Sequence, residues 1–273
     1  QAMAWRKSFR KDRLSPSSSE LNGMCIFSAA NRRTCAVFYS HRYGVCSNSL
    51  MSSLDPFTSF DGPDLPDGAF ARLMDHASLD TRAMILGAVE QARILRLRNA
   101  GERRNLERSL LAVRQELSGR LGRPAEDIVI AHDAKGGPFL PDSPDTRISI
   151  SRTKGWSALA TSTCGSIGID IERIRPVEWA PMLQMVSTAE EARTLSSLNE
   201  HALDAFYRLW TAKEAIMKAA GEGFRMGAPG IRIPDGMLTG DNSQSRISTA
   251  HGSFNVYSTQ HKDLMIALAV ATA

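Results

Sequence analysis

Two carboxylates on one strand pose the first chemical question. Ser166–Glu172 reads Ser-Ile-Gly-Ile-Asp-Ile-Glu, a period-two alternation that predicts a β-strand. Residues two apart on a strand share a face, so Asp170 and Glu172 stand side by side. Ile167, Ile169 and Ile171 then point to the opposite face and into a core. Two like charges held this close repel unless a cation lies between them. A carboxylate site favours a hard cation, Mg²⁺ first, with substrate phosphates completing its shell. The plainer reading is an edge strand showing its acids to water, and the strand alone does not decide between the two.

The second stretch is Trp210-Thr211-Ala212-Lys213-Glu214-Ala215-Ile216-Met217-Lys218. It falls on a predicted helix from about Ala202 to Ala220, which Gly221 ends as a left-handed cap. Glu214 and Lys218 are four apart and share a face, so a surface ion pair would explain them. The alternative gives Glu214 to the metal as a third carboxylate and aims Lys218 at a phosphate. Lys213 points about 100° away around the helix. It needs either a different phosphate oxygen or a structural partner.

Other elements must position these groups. Residues 69–98 and 102–121 carry helical patterning, with Leu106, Leu110, Val113 and Leu117 on one face. Between Arg93 and Arg123 stand nine arginines and three glutamates; this is either a solvated helix face or a surface for phosphates or an acidic protein. Strands are predicted at Asp127–Ala131, Arg147–Ser151, Trp156–Thr161, Ser253–Thr259 and Leu264–Ala271, with a Gly136-Gly137-Pro138 loop among them. Ser187-Thr188-Ala189-Glu190 reads as a capping box that starts a helix. Helices followed by clustered strands make an α+β protein.

Composition narrows the function classes. The chain has 273 residues, 42% hydrophobic and 23% charged, an ordinary globular mixture. The apolar run Leu264–Ala273 is about half the length a membrane span needs, so no membrane role is expected. Four cysteines without zinc-site spacing fit a reducing compartment, and a cytoplasmic location is expected. The net charge of +4 resides in residues 1–50, which alone carry eight Lys/Arg against two acids. The rest of the chain is slightly acidic, which removes the support for nucleic-acid binding. Residues 1–55 read as a disordered or dispensable extension, Arg- and Ser-rich and similar in composition to a transit peptide. The Pro/Gly/Asp-rich Asp55–Asp67 is a loop leading into the body.

The two motifs in order carry a family resemblance. Gly168-Ile169-Asp170-Ile171-Glu172, followed about forty residues later by Leu209-Trp210-Thr211-Ala212-Lys213-Glu214-Ala215-Ile216-Met217-Lys218, resembles the paired signature of the 4′-phosphopantetheinyl transferases. The trailing Ala219-Ala220-Gly221-Glu222-Gly223-Phe224 is similar to the larger, surfactin-synthetase-activating (Sfp-type) branch. Gly136–Asp142 and Ile148–Thr153 resemble two further family blocks, so the resemblance spans roughly residues 95–273. It implies transfer of the phosphopantetheine arm of coenzyme A to a serine of an acidic acyl or peptidyl carrier protein, with release of 3′,5′-ADP. It also implies Asp170, Glu172 and Glu214 as ligands of Mg²⁺, with Mn²⁺ as the alternative ion, and Glu214 as the base for the carrier serine. Lys218 would neutralise the pyrophosphate, and Lys213 matches the motif lysine. Ser151, Arg152 and Lys135 would contact coenzyme A, and Arg103, Arg104 and Arg108 lie where relatives carry basic residues facing its 3′-phosphate.

Two positions depart from the family. Ser151-Arg152-Thr153 puts arginine where the block carries histidine; arginine is itself a competent phosphate ligand. Gly137 occupies the usual lysine position, with Lys135 two residues earlier as a substitute. The implied fold is an α+β pseudodimer of two similar halves, residues 60–165 and 166–273, with coenzyme A between them and a monomer as the assembly. Two rivals stand beside this reading. One is a relative that binds coenzyme A or a carrier without turnover. The other is a different Mg²⁺-dependent phosphoryl or nucleotidyl transferase, which lacks a Gly-rich phosphate loop.

Overall fold

The first strand overturns one expectation. In the computed structural model, which describes residues 65–79, 86–223 and 227–272, Ala69–Asp75 is a strand (β1) and not the start of a helix. Its Ala, Leu, Met and Arg residues are good helix formers, but pairing with a neighbouring strand overrides local propensity. The burial follows period two: Ala71 and Leu73 are buried, and Arg72 between them is exposed. The described residues all belong to the unit Leu54–Ala273. The N-terminal extension and Phe224 lie outside the described residues.

Helices α1 (Ala88–Leu95) and α2 (Ala100–Leu121) follow. Asn99 caps α2 by accepting from the Glu102 amide at 3.0 Å, and Gly122 ends it at φ 62°. The buried face of α2 includes Leu106, Leu110, Val113 and Leu117, as the pattern predicts. The strand expected at Asp127–Ala131 shrinks to β2 (Ala131–His132), because Pro124 opens a 3₁₀ turn over Ala125–Asp127. Strands β3 (Pro138–Phe139), β4 (Arg147–Thr153) and β5 (Trp156–Ser162) complete the first sheet.

The second set begins with β6 (Ile167–Arg173). Helices α3 (Ala180–Val186), α4 (Ala189–Ser197), α5 (Ala202–Ala219) and α6 (Asp235–Thr239) come next. Strands β7 (Gln244–Thr249), β8 (Gly252–His261) and β9 (Leu264–Ala271) close the chain. The capping box of α4 sits one residue later than expected, on Thr188 and Glu191. Ser187 instead donates to the Leu183 carbonyl at 2.7 Å and closes α3. Gly221, at φ 69°, follows α5 as anticipated.

All described strand pairs are antiparallel, in two sheets ordered β1-β5-β4-β3-β2 and β6-β9-β8-β7. In each sheet the first strand lies beside the last, and the others follow in descending order. The protein is therefore mixed α and β with two antiparallel sheets. Ala71, Leu73, Ala158 and Ala160 of the first sheet share one core with Ile167, Ile169, Ile171, Ile266, Leu268 and Val270 of the second. The opposite face of the first sheet buries Ile148 and Leu159 against Val113 and Leu117 of α2. No helix of the described residues is long and apolar enough to cross a membrane.

Candidate active site between β6 and α5

The site starts from an absent side chain. A Cβ at Gly168 would lie 2.0 Å from the Ala215 carbonyl oxygen and 2.5 Å from the Ala219 nitrogen. Only glycine lets the backbone of α5 rest directly on β6 there. Strand period puts Asp170 and Glu172 on that same face, toward the helix. The close approach brings the Lys218 ammonium to 2.7 Å from Asp170 Oδ1 and 2.8 Å from the Ile169 carbonyl. Asp170 is 1% exposed, so it does not display an acid to water. Glu214 is buried as well, and Lys218 is half-buried against β6. The surface ion-pair reading of these two residues fails.

The other flank of Asp170 is held by β4. In its sheet β6 pairs with β9 alone. On its other side, Ser149 and Ser151 accept the amides of Ile169 and Ile171 through their hydroxyls, at 3.0 and 3.3 Å. Ser151 also donates to Asp170 Oδ1 at 2.8 Å. The Ile148–Thr153 block thus joins the two sheets by serine hydroxyls where a backbone ladder is absent. Ser151, expected to contact coenzyme A, is placed on the carboxylate.

A cation must be judged on these groups. Asp170 Oδ2 is buried with no hydrogen-bond partner, and an orphaned carboxylate oxygen of this kind fits a hard cation. Among the described residues, however, no three His, Cys, Asp or Glu side chains come together closely enough to hold a metal ion. Asp170 and Glu172 lie on β6 and Glu214 on the α5 helix packed against it, and the three form no ready cage.

The remaining predicted residues disperse. Lys213 is 1% exposed and donates to Glu191 Oε2 at 2.6 Å and to the Val186 carbonyl at 2.7 Å. Burial pushes its ammonium below the ordinary lysine value, and the Glu191 carboxylate opposes that. Of the two partners the sequence left open for Lys213, the structural one is present. Lys135 is exposed and paired with Glu222 at 2.8 Å. Its loop is tied by Asp133 Oδ1, which accepts the amides of Lys135 and Gly137, both at 2.8 Å. A Cβ at Gly137 would lie 2.9 Å from Asp133 Oδ2, so the Asp133 side chain would have to give way to a larger residue there. Arg103 donates to the Leu97 carbonyl and Arg104 is exposed.

Arg108 leads to a residue that sequence reasoning missed, while Arg152 is half-buried on β4. His76 is 3% exposed, its carbonyl accepts from Arg108 at 3.2 Å, and its ring Nε2 lies 2.8 Å from Ser157 Oγ. Ser157 in turn donates to Ser109 at 2.8 Å. Burial, together with the charges of Arg108 and Arg152, pushes the imidazole down to about 4. Nothing in the local sequence marks His76, which lies within the 69–98 segment that reads as helix. His132 is exposed, and Trp210 is buried in the core.

Comparison with known proteins finds similarity across these motifs. Residues 166–269 match the model of the 4′-phosphopantetheinyl transferase superfamily. Over 114 residues the chain is 31% identical to the 4′-phosphopantetheinyl transferase Sfp of Bacillus subtilis, covering 42% of this chain and 50% of that protein. It is 33% identical over 113 residues to the transferase gsp of Aneurinibacillus migulanus, covering 41% and 46%. A putative 4′-phosphopantetheinyl transferase of Synechocystis is 27% identical over 177 residues, covering 60% and 72%. The chain spans about half the length of the first of these relatives. The matches bear out the resemblance to the Sfp branch read from the two motifs.

Proposed function

We propose that this relative of the Sfp-type 4′-phosphopantetheinyl transferases moves the phosphopantetheine arm of coenzyme A onto a carrier-protein serine and releases 3′,5′-ADP. The observation that carries the reading is the buried Asp170, held by Lys218 and Ser151 with one oxygen unpartnered, at the seam where Gly168 admits α5. Attack of the serine oxygen forms a new P–O bond at the pantetheine-side phosphorus and breaks the bond to the ADP phosphate. Negative charge grows on the phosphoryl oxygens and on the leaving group, and the Lys218 ammonium stands beside that position. Glu214, on the same helix, takes the proton from the serine, directly or through a water. Asp170, Glu172 and Glu214 would hold Mg²⁺, which when bound supplies Lewis-acid stabilisation of the pyrophosphate.

Arg152 and Arg108, whose charges both act on His76, supply the cationic surface for a phosphate of coenzyme A. The shared strand order of the two sheets supports two similar halves, 60–165 and 166–273, acting as an internal dimer in a monomeric chain. A relative that binds coenzyme A without turnover is the second reading, favoured by the missing three-carboxylate cage.

Intact-mass spectrometry of apo carrier proteins incubated with this protein, coenzyme A and Mg²⁺ decides between them. A phosphopantetheine mass gain, lost with EDTA and with Asp170→Asn, supports transfer. Binding of coenzyme A with no gain on any carrier supports the second reading.

A further inference from the structure

Lys213 and Glu191 form the most deeply buried ion pair among the described residues, and neither touches the groups assigned to the reaction. Glu191 is fully buried, and every partner it has is charged or main-chain. Its Oε2 accepts from Lys213 at 2.6 Å and from the Thr188 amide at 2.7 Å. Its Oε1 accepts from the Ile233 amide at 2.7 Å. Lys213 adds the Val186 carbonyl at 2.7 Å. One pair therefore ties α5 to the end of α3, the start of α4 and the segment before α6.

The direction of this tie matters for the site. On a helix, Glu214 lies about 100° from Lys213, and Lys218 about 140° from it. Gly168 fixes how near α5 sits to β6, but a contact on one line of a cylinder does not set its rotation. A rotation of about 15° would carry an ammonium roughly 7 Å from the axis by about 2 Å, enough to break its bond to Asp170.

We infer that Lys213, with Glu191, is a positioning residue that sets the rotation of α5, so that Glu214 and Lys218 face β6. The inference rests on the transferase reading and gives the motif lysine a role that involves no contact with coenzyme A. A buried pair suits the task, because a misplaced partner leaves an uncompensated charge in the interior.

The test uses the full chain, assayed for transfer to a carrier with kcat and KM for coenzyme A resolved, alongside thermal unfolding. Lys213→Met is expected to lower kcat at least tenfold while KM for coenzyme A stays within twofold. Lys213→Met combined with Glu191→Gln removes both charges and is expected to recover most of the lost kcat together with the melting temperature. A tenfold rise in KM with kcat unchanged would make Lys213 a phosphate ligand and overturn the inference. So would a double variant that regains its melting temperature but not its kcat, or a Lys213→Met enzyme that melts early yet turns over normally. Should Lys213→Met fail to fold, the kcat and KM of the double variant decide alone. A wild-type chain with no transfer activity refutes the transferase reading itself, an outcome separate from all of these.

Discussion

Gly168→Ala tests the seam on which the site depends. The added methyl carbon would stand 2.0 Å from the Ala215 oxygen, 2.5 Å from the Ala219 nitrogen and 3.0 Å from Lys218 Cβ. An ordinary carbon–oxygen contact is about 3.3 Å, so α5 must recede from β6 by about 1 Å or more. The atoms in the way are helix backbone, which cannot rotate aside as a side chain would. Overpacking of this kind costs about 1–3 kcal/mol, and a backbone collision belongs at the upper end. For a unit of about 200 residues that is a fall in melting temperature of roughly 6–10 °C. The same displacement stretches the 2.7 Å Lys218–Asp170 bond beyond hydrogen-bonding range. Turnover should therefore fall by about two orders of magnitude, as for loss of a preorganised charge donor. Thermal unfolding and carrier phosphopantetheinylation on the same preparation measure both effects. A variant that melts within a degree of the wild type and transfers at its normal rate would refute the close-approach argument.

Other outcomes follow from the same geometry. An unfolded histidine takes up its proton near 6.5, but His76 in the fold does so only at about 4. Stability should therefore be full above pH 6.5 and decline as pH falls from 6.5 to 4, by no more than about 3 kcal/mol. Urea unfolding of wild type and His76→Gln at intervals across that range should show the steeper slope in the wild type, since His132 and His261, also lowered by burial, contribute to both; parallel curves would refute it. Gly137→Lys, which restores the family residue, should not improve coenzyme A binding, because its Cβ would lie 2.9 Å from Asp133 Oδ2. Pairing it with Asp133→Gly should relieve that clash and lower KM for coenzyme A severalfold. An equal gain from Gly137→Lys alone would show that Asp133 is not the obstacle.

The paired motifs were legible because their chemistry is local. Alternation of Ile167, Ile169 and Ile171 with Gly168, Asp170 and Glu172 states a strand with one apolar and one acidic face; the strand is there, but both faces are buried as far as Ile171, Asp170 included. The left-handed stop at Gly221 and the apolar face of α2 were readable for the same reason. Errors arose where local preference and tertiary pairing disagree. Ala69–Asp75 carries helix-forming residues yet pairs along its whole length with Trp156–Ser162, a partner some eighty residues away. The same distance hid His76, whose ring partner Ser157 is on that remote strand.

Sequence alone determined which residues could do the chemistry: the carboxylates of one strand, the helix that bears Glu214 and Lys218, and the block with Ser151. Tertiary structure decided their duties. Lys213 and Lys218 belong to one motif and point to different sides of its helix, but only the fold shows that one is sealed against Glu191 and the other reaches Asp170. Ser149 reads as an ordinary strand residue and Ser151 as a coenzyme A contact until β6 is laid beside β4. The physical reason is that residue type and spacing set a side chain's direction only relative to its own element. Which element stands opposite is set by where the core forms and where a missing side chain, as at Gly168, lets two backbones meet.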